Sequence, residues 1–329
     1  MKISVLKKFY SCSALLGLAL ALGFTAFKRP EDNNRGWCGK PPRAGLEKLK
    51  EIKTSRPWFR VFDVGNNTYA IDEPYNWEET ISYLIIGQQQ ALLFDTGMGL
   101  DSIELVIQQL TQLPVLVINS HTHNDHIGRN FAFAHILAMN TAYTHINAAN
   151  GYTHSQVQAE VKPESFCLQR LPGTDTAAYF TRPFKVTQFI NGGYKIALGG
   201  RTIQVVATPG HTPDAICLYD EKAGYLWCGD SFYEGPIFLF ADSTNLPAYR
   251  TSIHIIAQLA GRCKYVLPAH NLPIVKPSLV IKAAADFDEI LQGKKQGIMQ
   301  ADSTLLYDCG PFSYKIGSRY MRQLPQTAR

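Results

Sequence analysis

The chemistry is concentrated in one turn, Ser120-His121-Thr122-His123-Asn124-Asp125-His126, where three imidazoles and a carboxylate fall within six residues. In an extended segment, alternation places His121 and His123 on one side, where both can reach a single metal ion. Asp125 and His126 follow where the chain turns, and can serve a neighbouring ion. Imidazole with carboxylate suits zinc, and also iron or manganese. Three further candidates stand alone in the sequence: His211 in Thr208-Pro209-Gly210-His211, Asp230 in Cys228-Gly229-Asp230, and His270 in Pro268-Ala269-His270. Each follows a β-type run and has a small residue just before it, which lets the backbone approach a crowded centre. One such turn can be an accident; four pieces, each after a strand, point to a metal site.

The elements that position these residues are legible as short runs. Phe59–Val64, Thr68–Ile71, Ile81–Ile86 and Ala91–Phe94 have β-type composition and are separated by turn residues. Leu100–Leu113 carries Ile103, Val106, Ile107 and Leu110 on one helical face, and Pro114–Asn119 is a continuous apolar strand that ends at the histidine-rich turn. A polar turn at the carboxyl end of a strand is where α/β proteins place their chemistry. Phe131–Phe184 is less regular. Val186–Ile190, Tyr194–Ile196, Thr202–Ala207, Ala215–Tyr219, Tyr225–Cys228 and Tyr265–Leu267 read as strands, and Ala248–Ala260 and Pro277–Gly293 as helices. Thr304–Tyr307 and Phe312–Ile316 close the chain as a β-type pair. The order predicts two sheet-and-helix halves packed sheet to sheet.

His121, His123, Asp125, His126, His211, Asp230 and His270, together with Phe94-Asp95-Thr96-Gly97-Met98-Gly99 after a strand, resemble the metallo-β-lactamase superfamily over residues 58–317. The resemblance implies a four-layer αββα sandwich with two zinc ions between the sheets at one edge. One ion would sit on His121, His123 and His211, the other on Asp125, His126 and His270, with Asp230 bridging. Asp95 would orient the ligand loop without touching a metal. The implied chemistry is hydrolysis by a metal-bridging hydroxide.

An Asp at position 230 is similar to the lactonases, glyoxalase II and thioesterase-like members, whereas true β-lactamases resemble one another in Cys or Ser there. Tyr233 matches a tyrosine that contacts the substrate carbonyl in the lactonases, so Asp125 and Tyr233 are the expected catalytic side chains. The short tail after His270 does not resemble the helical domain of glyoxalase II. The expected substrate is a small acyl compound: a thioester, ester or lactone. β-Lactam hydrolysis and a non-catalytic, metal-bound envelope protein stand as alternatives.

An apolar fraction of 46% and a charged fraction of 18% are those of a globular chain. The net charge of +5 resides in residues 1–30, which hold five basic residues and no acid; the rest balances 27 basic against 27 acidic residues. A neutral body argues against nucleic acid as a partner. Lys2, Lys7 and Lys8 before the uncharged run Ala14–Phe27 read as a signal peptide over residues 1–27, with Ala21-Leu22-Gly23 as a cleavage candidate. Counted from Phe9, the same run is long enough for a membrane tether over residues 9–27. The protein is thus expected to be exported, periplasmic or secreted, or else membrane-anchored. Residues 28–57 read as linker and arm, 58–317 as the domain and 318–329 as a tail. Asp72–Trp77 is an aromatic loop that could overhang a site. Cys217 and Cys228 flank a turn symmetrically and are either bridged or two buried thiols. His135, His145, His154 and His254 read as loop or surface residues.

Overall fold

The computed structural model describes residues 43–167 and 175–322. The leader, Cys12, Cys38, residues 28–42 of the expected arm and the last residues of the tail lie outside the described residues.

Strands β1 (Lys50–Ile52), β2 (Arg60–Gly65), β3 (Thr68–Asp72), β4 (Ile81–Ile86), β5 (Ala91–Phe94), β6 (Val115–Ile118), β7 (Ile136–Met139) and β8 (Gln188–Ile190) form one eight-stranded sheet in chain order. It is antiparallel through β5 and parallel beyond. The second sheet holds β9 (Lys195–Ala197), β10 (Thr202–Ala207), β11 (Ile216–Asp220), β12 (Tyr225–Gly229) and β14 (Tyr265–Pro268), with β12 and β14 parallel. A third sheet joins β13 (Pro236–Leu239) to β15 (Ile298–Met299), β16 (Thr304–Asp308) and β17 (Ser313–Gly317). The helices are α1 (Ile103–Leu110), α2 (Asn124–Ile127), α3 (Ala142–Asn150), α4 (His154–Val161), α5 (Leu246–Ala260), α6 (Pro277–Leu291) and α7 (Ser318–Arg322).

Two-residue alternation explains the layering. In β4 and β5, Tyr83, Ile85, Leu92 and Phe94 face the second sheet, where they meet Leu218, Tyr225, Trp227 and Leu267 in a shared core. The residues between them, Leu84, Ala91 and Leu93, face outward and pack against Ile103, Val106 and Ile107 of α1. The second sheet repeats the device: Cys217, Leu226, Cys228 and Val266 face outward onto Ile253 and Ile256 of α5 and Val280, Ala283 and Phe287 of α6. Helix, sheet, sheet, helix is the resulting order, as expected. Burying each of these Leu, Ile or Phe side chains contributes about 1.5–3 kcal/mol.

Several boundaries differ from the sequence expectation. Lys50–Ile52, in the stretch read as linker and arm, pairs with β2 and belongs to the sheet. The irregular stretch from Phe131 contains β7, α3 and α4; α3 is capped by Thr141 and α4 by a Thr153/Gln156 capping box. The terminal pair is a hairpin as expected, but β13 pairs in parallel with β17 and makes it part of a third sheet. Ser318–Arg322, assigned to the tail, is helical. Helix α5 starts at Leu246 rather than Ala248, because Asn245 accepts the amide of Ala248 and Pro247 fits the first turn. Cys217 and Cys228 are free buried thiols, while Cys167 is disulfide-bonded. Among the described residues no helix is long and apolar enough to cross a membrane.

Candidate metal centre

The seven expected ligands converge where strand ends from both sheets meet. His121, His123, Asp125 and His126 follow β6, His211 follows β10, Asp230 follows β12 and His270 follows β14. The two sheets are stitched there: the amide of Ile216 donates to Ser120 O at 2.8 Å, and that of Ile81 to Ala269 O at 2.6 Å. Close approach demands small residues. Gly229, at φ 51°, would bring a Cβ within 2.6 Å of Ser120 Cβ, and Gly210, at φ 141°, within 2.3 Å of the Tyr249 backbone.

The ligand atoms fall into two groups, one of His121, His123 and His211, the other of Asp125, His126, Asp230 and His270; within each group they lie within 4.8 Å of one another. In the first, His123 Nδ1 is 2.9 Å from His121 Nε2 and 3.2 Å from His211 Nε2. In the second, His126 Nε2 is 3.1 Å from Asp125 Oδ2, and His270 Nε2 is 3.1 Å from Asp230 Oδ1. Asp230 faces both groups. Its Oδ1 is 3.3 Å from His126 Nε2, and its Oδ2 is 3.6 Å from His211 Nε2 and 4.0 Å from His121 Nε2.

The outer ring atoms are anchored, which fixes how the inner ones point. His126 Nδ1 bonds Asp95 Oδ2 at 3.0 Å, while Asp95 Oδ1 accepts the amide of Ser120 at 2.6 Å. Asp95 adopts φ 68°, a conformation uncommon for a non-glycine residue, so its two bonds hold a strained backbone at the root of the ligand turn. His211 Nδ1 donates to Phe238 O at 2.8 Å and His270 Nδ1 to Glu78 O at 2.6 Å. With the Nδ1 protons directed outward, Nε2 is the ring atom each of these histidines turns to the centre.

Electrostatics separate the groups. Burial, then the neighbouring imidazoles, holds His121 well below the usual histidine range and His123 at about 3. In the second group burial opposes charge on the imidazoles, but the carboxylates outweigh it. Asp125, Asp230 and Asp95 push His126 well up, and Asp230 and Asp125 raise His270 to about 9. His126 Nε2 and Asp230 Oδ1 are buried with no hydrogen-bond partner, a costly arrangement without a further group between them. Converging imidazole lone pairs beside orphaned carboxylate and imidazole atoms form a donor set that fits metal ions.

The sequence model of the Metallo-beta-lactamase superfamily matches residues 76–294. The chain belongs to the metallo-β-lactamase superfamily. This superfamily hydrolase is similar to the acyl-coenzyme A thioesterase MBLAC2 of Gallus gallus, 24% identical with 65% of this chain and 80% of the relative covered. The same-named protein of Homo sapiens is 22% identical, with 65% and 81% covered. An atrochrysone carboxyl ACP thioesterase of Aspergillus chevalieri is 25% identical, covering 68% of this chain and 61% of its own. Among solved structures, a beta-lactamase domain protein from Burkholderia ambifaria superposes with a TM-score of 0.54 at 19% identity, covering 76% of this chain and 80% of its own. The sec-alkylsulfatase Pisa1 from Pseudomonas sp. reaches 0.55 at 18%, covering 71% and 42%. Both structures speak for the fold alone.

Other sequence candidates fall elsewhere. Tyr233 is buried, its ring 5.0 Å from that of His270, but its hydroxyl donates to Pro236 O at 2.5 Å. The Asp72–Trp77 loop is tied to the segment around Phe166: Tyr75 packs on Trp58, and the Trp77 amide donates to Ser165 O. His254 pairs with Asp288 on the helical face, and His145 bonds Asn140 and stacks on Phe189. His135 and His154 also lie outside both ligand groups.

Sequence reading missed Asp214. Its buried carboxylate accepts the hydroxyls of Thr122 at 2.6 Å, Thr212 at 2.7 Å and Thr144 at 3.1 Å, joining the turn of His121 and His123 to that of His211. An acid three residues after His211 was the available signal. Asn119 was missed as well: its amide donates to His126 O at 2.7 Å and it pairs with Asn130.

Proposed function

We propose that this chain is a zinc-dependent acyl hydrolase with two ions, one on His121, His123 and His211, the other on Asp125, His126 and His270, and Asp230 between them. The carrying observation is the position of Asp230, whose carboxylate touches both groups: Oδ1 is 3.3 Å from His126 Nε2, and Oδ2 is 3.2 Å from His270 Nε2 and 3.6 Å from His211 Nε2. Zinc, when bound, supplies Lewis acidity that acidifies water and polarises a carbonyl oxygen. The chain's own residues do the rest. Asp95, Phe238 O and Glu78 O keep the outer protons of His126, His211 and His270 in place, so the ligand lone pairs are preorganised. His123 is the most exposed of the seven, and Asp125 and Asp230 are buried at 8% exposure each. Asp125 Oδ2 faces His126 and His270, and the carboxylate's other oxygen is the atom assigned to take a proton from the attacking water. To donate to a substrate carbonyl, Tyr233 must first release Pro236, which gives it the lesser part.

Acyl thioesters are the favoured substrates, supported by the thioesterase relatives and the Asp at position 230. The basic amino-terminal segment and apolar run after it support an exported enzyme, either released or tethered through residues 9–27. The test is a proton-release screen of the zinc-loaded protein against thioesters, esters, lactones and β-lactams, with His121→Ala as control. Turnover of an acyl thioester or lactone, lost in the variant, is expected. Turnover of β-lactams alone, or equal rates in both proteins, would contradict the reading.

A further inference from the structure

The turn bearing His270 is braced by a residue upstream of the matched superfamily segment. Glu78 O receives the Nδ1 proton of His270. The next residue, Glu79, is buried at φ 44°, and Asn271, directly after His270, is buried at φ 69°. Asparagine tolerates this left-handed region, but glutamate rarely enters it, and such strain persists only where surrounding bonds over-determine it. The two backbones are locked together. The Asn271 amide donates to Glu79 O at 3.1 Å, and Thr80 and His270 form an isolated antiparallel bridge.

What over-determines them is Arg43. Its Nε and Nη2 donate to Glu79 Oε2 at 2.5 Å and Oε1 at 2.9 Å, a two-pronged ion pair, and Nη2 also donates to Asn271 Oδ1 at 2.5 Å. Asn271 Nδ2 passes the contact on to Glu234 O at 2.9 Å, beside Tyr233. The Glu79 side chain is 3% exposed and that of Arg43 21%, so the pair is largely shielded from water. One guanidinium thereby grips both left-handed residues, strained Glu79 and tolerant Asn271, that follow the two ends of the His270–Glu78 hydrogen bond.

We infer that Arg43, with Glu79 and Asn271, is a positioning clamp for His270, which it holds in register with Asp125, His126 and Asp230. The inference rests on the reading of His270 as a metal ligand. Arginine is required because its planar fork serves two acceptors at fixed angles, whereas lysine offers a single point charge. Loss of the clamp should weaken the ion at Asp125, His126 and His270 and spare the ion at His121, His123 and His211. Supports of this kind are typically worth about 10–100-fold in metal affinity.

The test is a stepwise Zn2+ titration of the full chain against a chromophoric chelator, together with Co2+ absorption spectra and thermal melts. The proteins compared are wild type, Arg43→Ala, Arg43→Lys, Glu79→Gln, His270→Ala and Arg201→Ala. Arg201 makes an equally close pair with Asp220 at the opposite end of β10 from His211, and controls for loss of a buried ion pair. The expected result is about tenfold or greater weakening of one ion only in Arg43→Ala and Glu79→Gln, partial recovery in Arg43→Lys, and no change in Arg201→Ala. If Arg43→Ala does not fold, Arg43→Lys and Glu79→Gln carry the comparison. Wild-type affinities in the Arg43 and Glu79 variants, with one ion lost in His270→Ala, would overturn the clamp and leave the ligand reading intact. Parallel loss of both ions, tracking the melting temperature, would also overturn it. Two ions retained in His270→Ala would overturn the ligand reading and the clamp with it.

Discussion

The two ligand groups share one turn, yet they differ in charge and in support. His121, His123 and His211 contain no carboxylate, and burial with the neighbouring imidazoles holds His121 and His123 neutral. Their scaffold is a set of neutral contacts: Ser120, Phe238 O, and the threonines gathered by Asp214. Asp125, His126, Asp230 and His270 form instead a buried alternation of acid and imidazole, backed by the further charges of Asp95 and of Arg43 with Glu79. A neutral group can accept a cation without first giving anything up. A charged one must release protons, and depends on the exact placement of its partners because isolated buried charges are costly.

The largest expected effect comes from the residue that belongs to both groups. Asp230→Asn removes the shared negative charge, and turnover should fall about 10³-fold or more, roughly 4 kcal/mol of barrier, measured as initial rates at saturating zinc. An effect confined to one ion would break the account of Asp230 as a bridge. Next are the separate supports. Asp95→Asn should weaken the ion at Asp125, His126 and His270 by about 10–100-fold, and Asp214→Asn should weaken the other ion by about tenfold, both read by chelator competition. Exchange of the two patterns would show that the groups are not supported independently.

The charge difference predicts a proton count. With His270 at about 9 in the metal-free protein, its ring is protonated at pH 7 and must lose that proton on binding; His123, at about 3, is already neutral. Binding to the second group should therefore release protons and strengthen as pH rises from 6 toward 9, more steeply than binding to the first. Calorimetry in buffers of different ionisation enthalpy measures the release for each ion. The smallest effect belongs to Tyr233→Phe. Because its hydroxyl is engaged by Pro236, the variant should keep turnover within about tenfold, and a hundredfold loss would restore Tyr233 to a direct catalytic role.

The same contrast explains what was legible in the sequence. Residues that must meet a metal are chemically distinctive, so all seven candidates could be named from type, spacing and a preceding strand. Strands rich in β-branched residues, such as Ile81–Ile86 and Thr202–Ala207, were read to their ends. Asp95 was named through the resemblance, and its bonds to Ser120 and His126 give that placement a physical basis. Supports were harder to read, because a buried Asp214 or a half-buried Arg43 looks in sequence like any surface acid or base. Helix α3 was missed because its buried face carries Thr144 and Asn147 while Ile146 is exposed, and α4 because only Val157 and Val161 mark its buried face; the Thr153/Gln156 capping box was the signal overlooked. Strands β1 and β13 are only three and four residues long, and β13 owes its existence to β17, a partner distant in the chain.

The central claim is that two ions occupy these two groups with Asp230 between them. Anomalous diffraction from crystals of the zinc-loaded protein, collected on both sides of the zinc absorption edge, tests it most directly. The account predicts two peaks, one among His121, His123 and His211 and one among Asp125, His126 and His270, each with an Asp230 oxygen bound. A single peak, or a second peak that leaves Asp230 unbound, would contradict it.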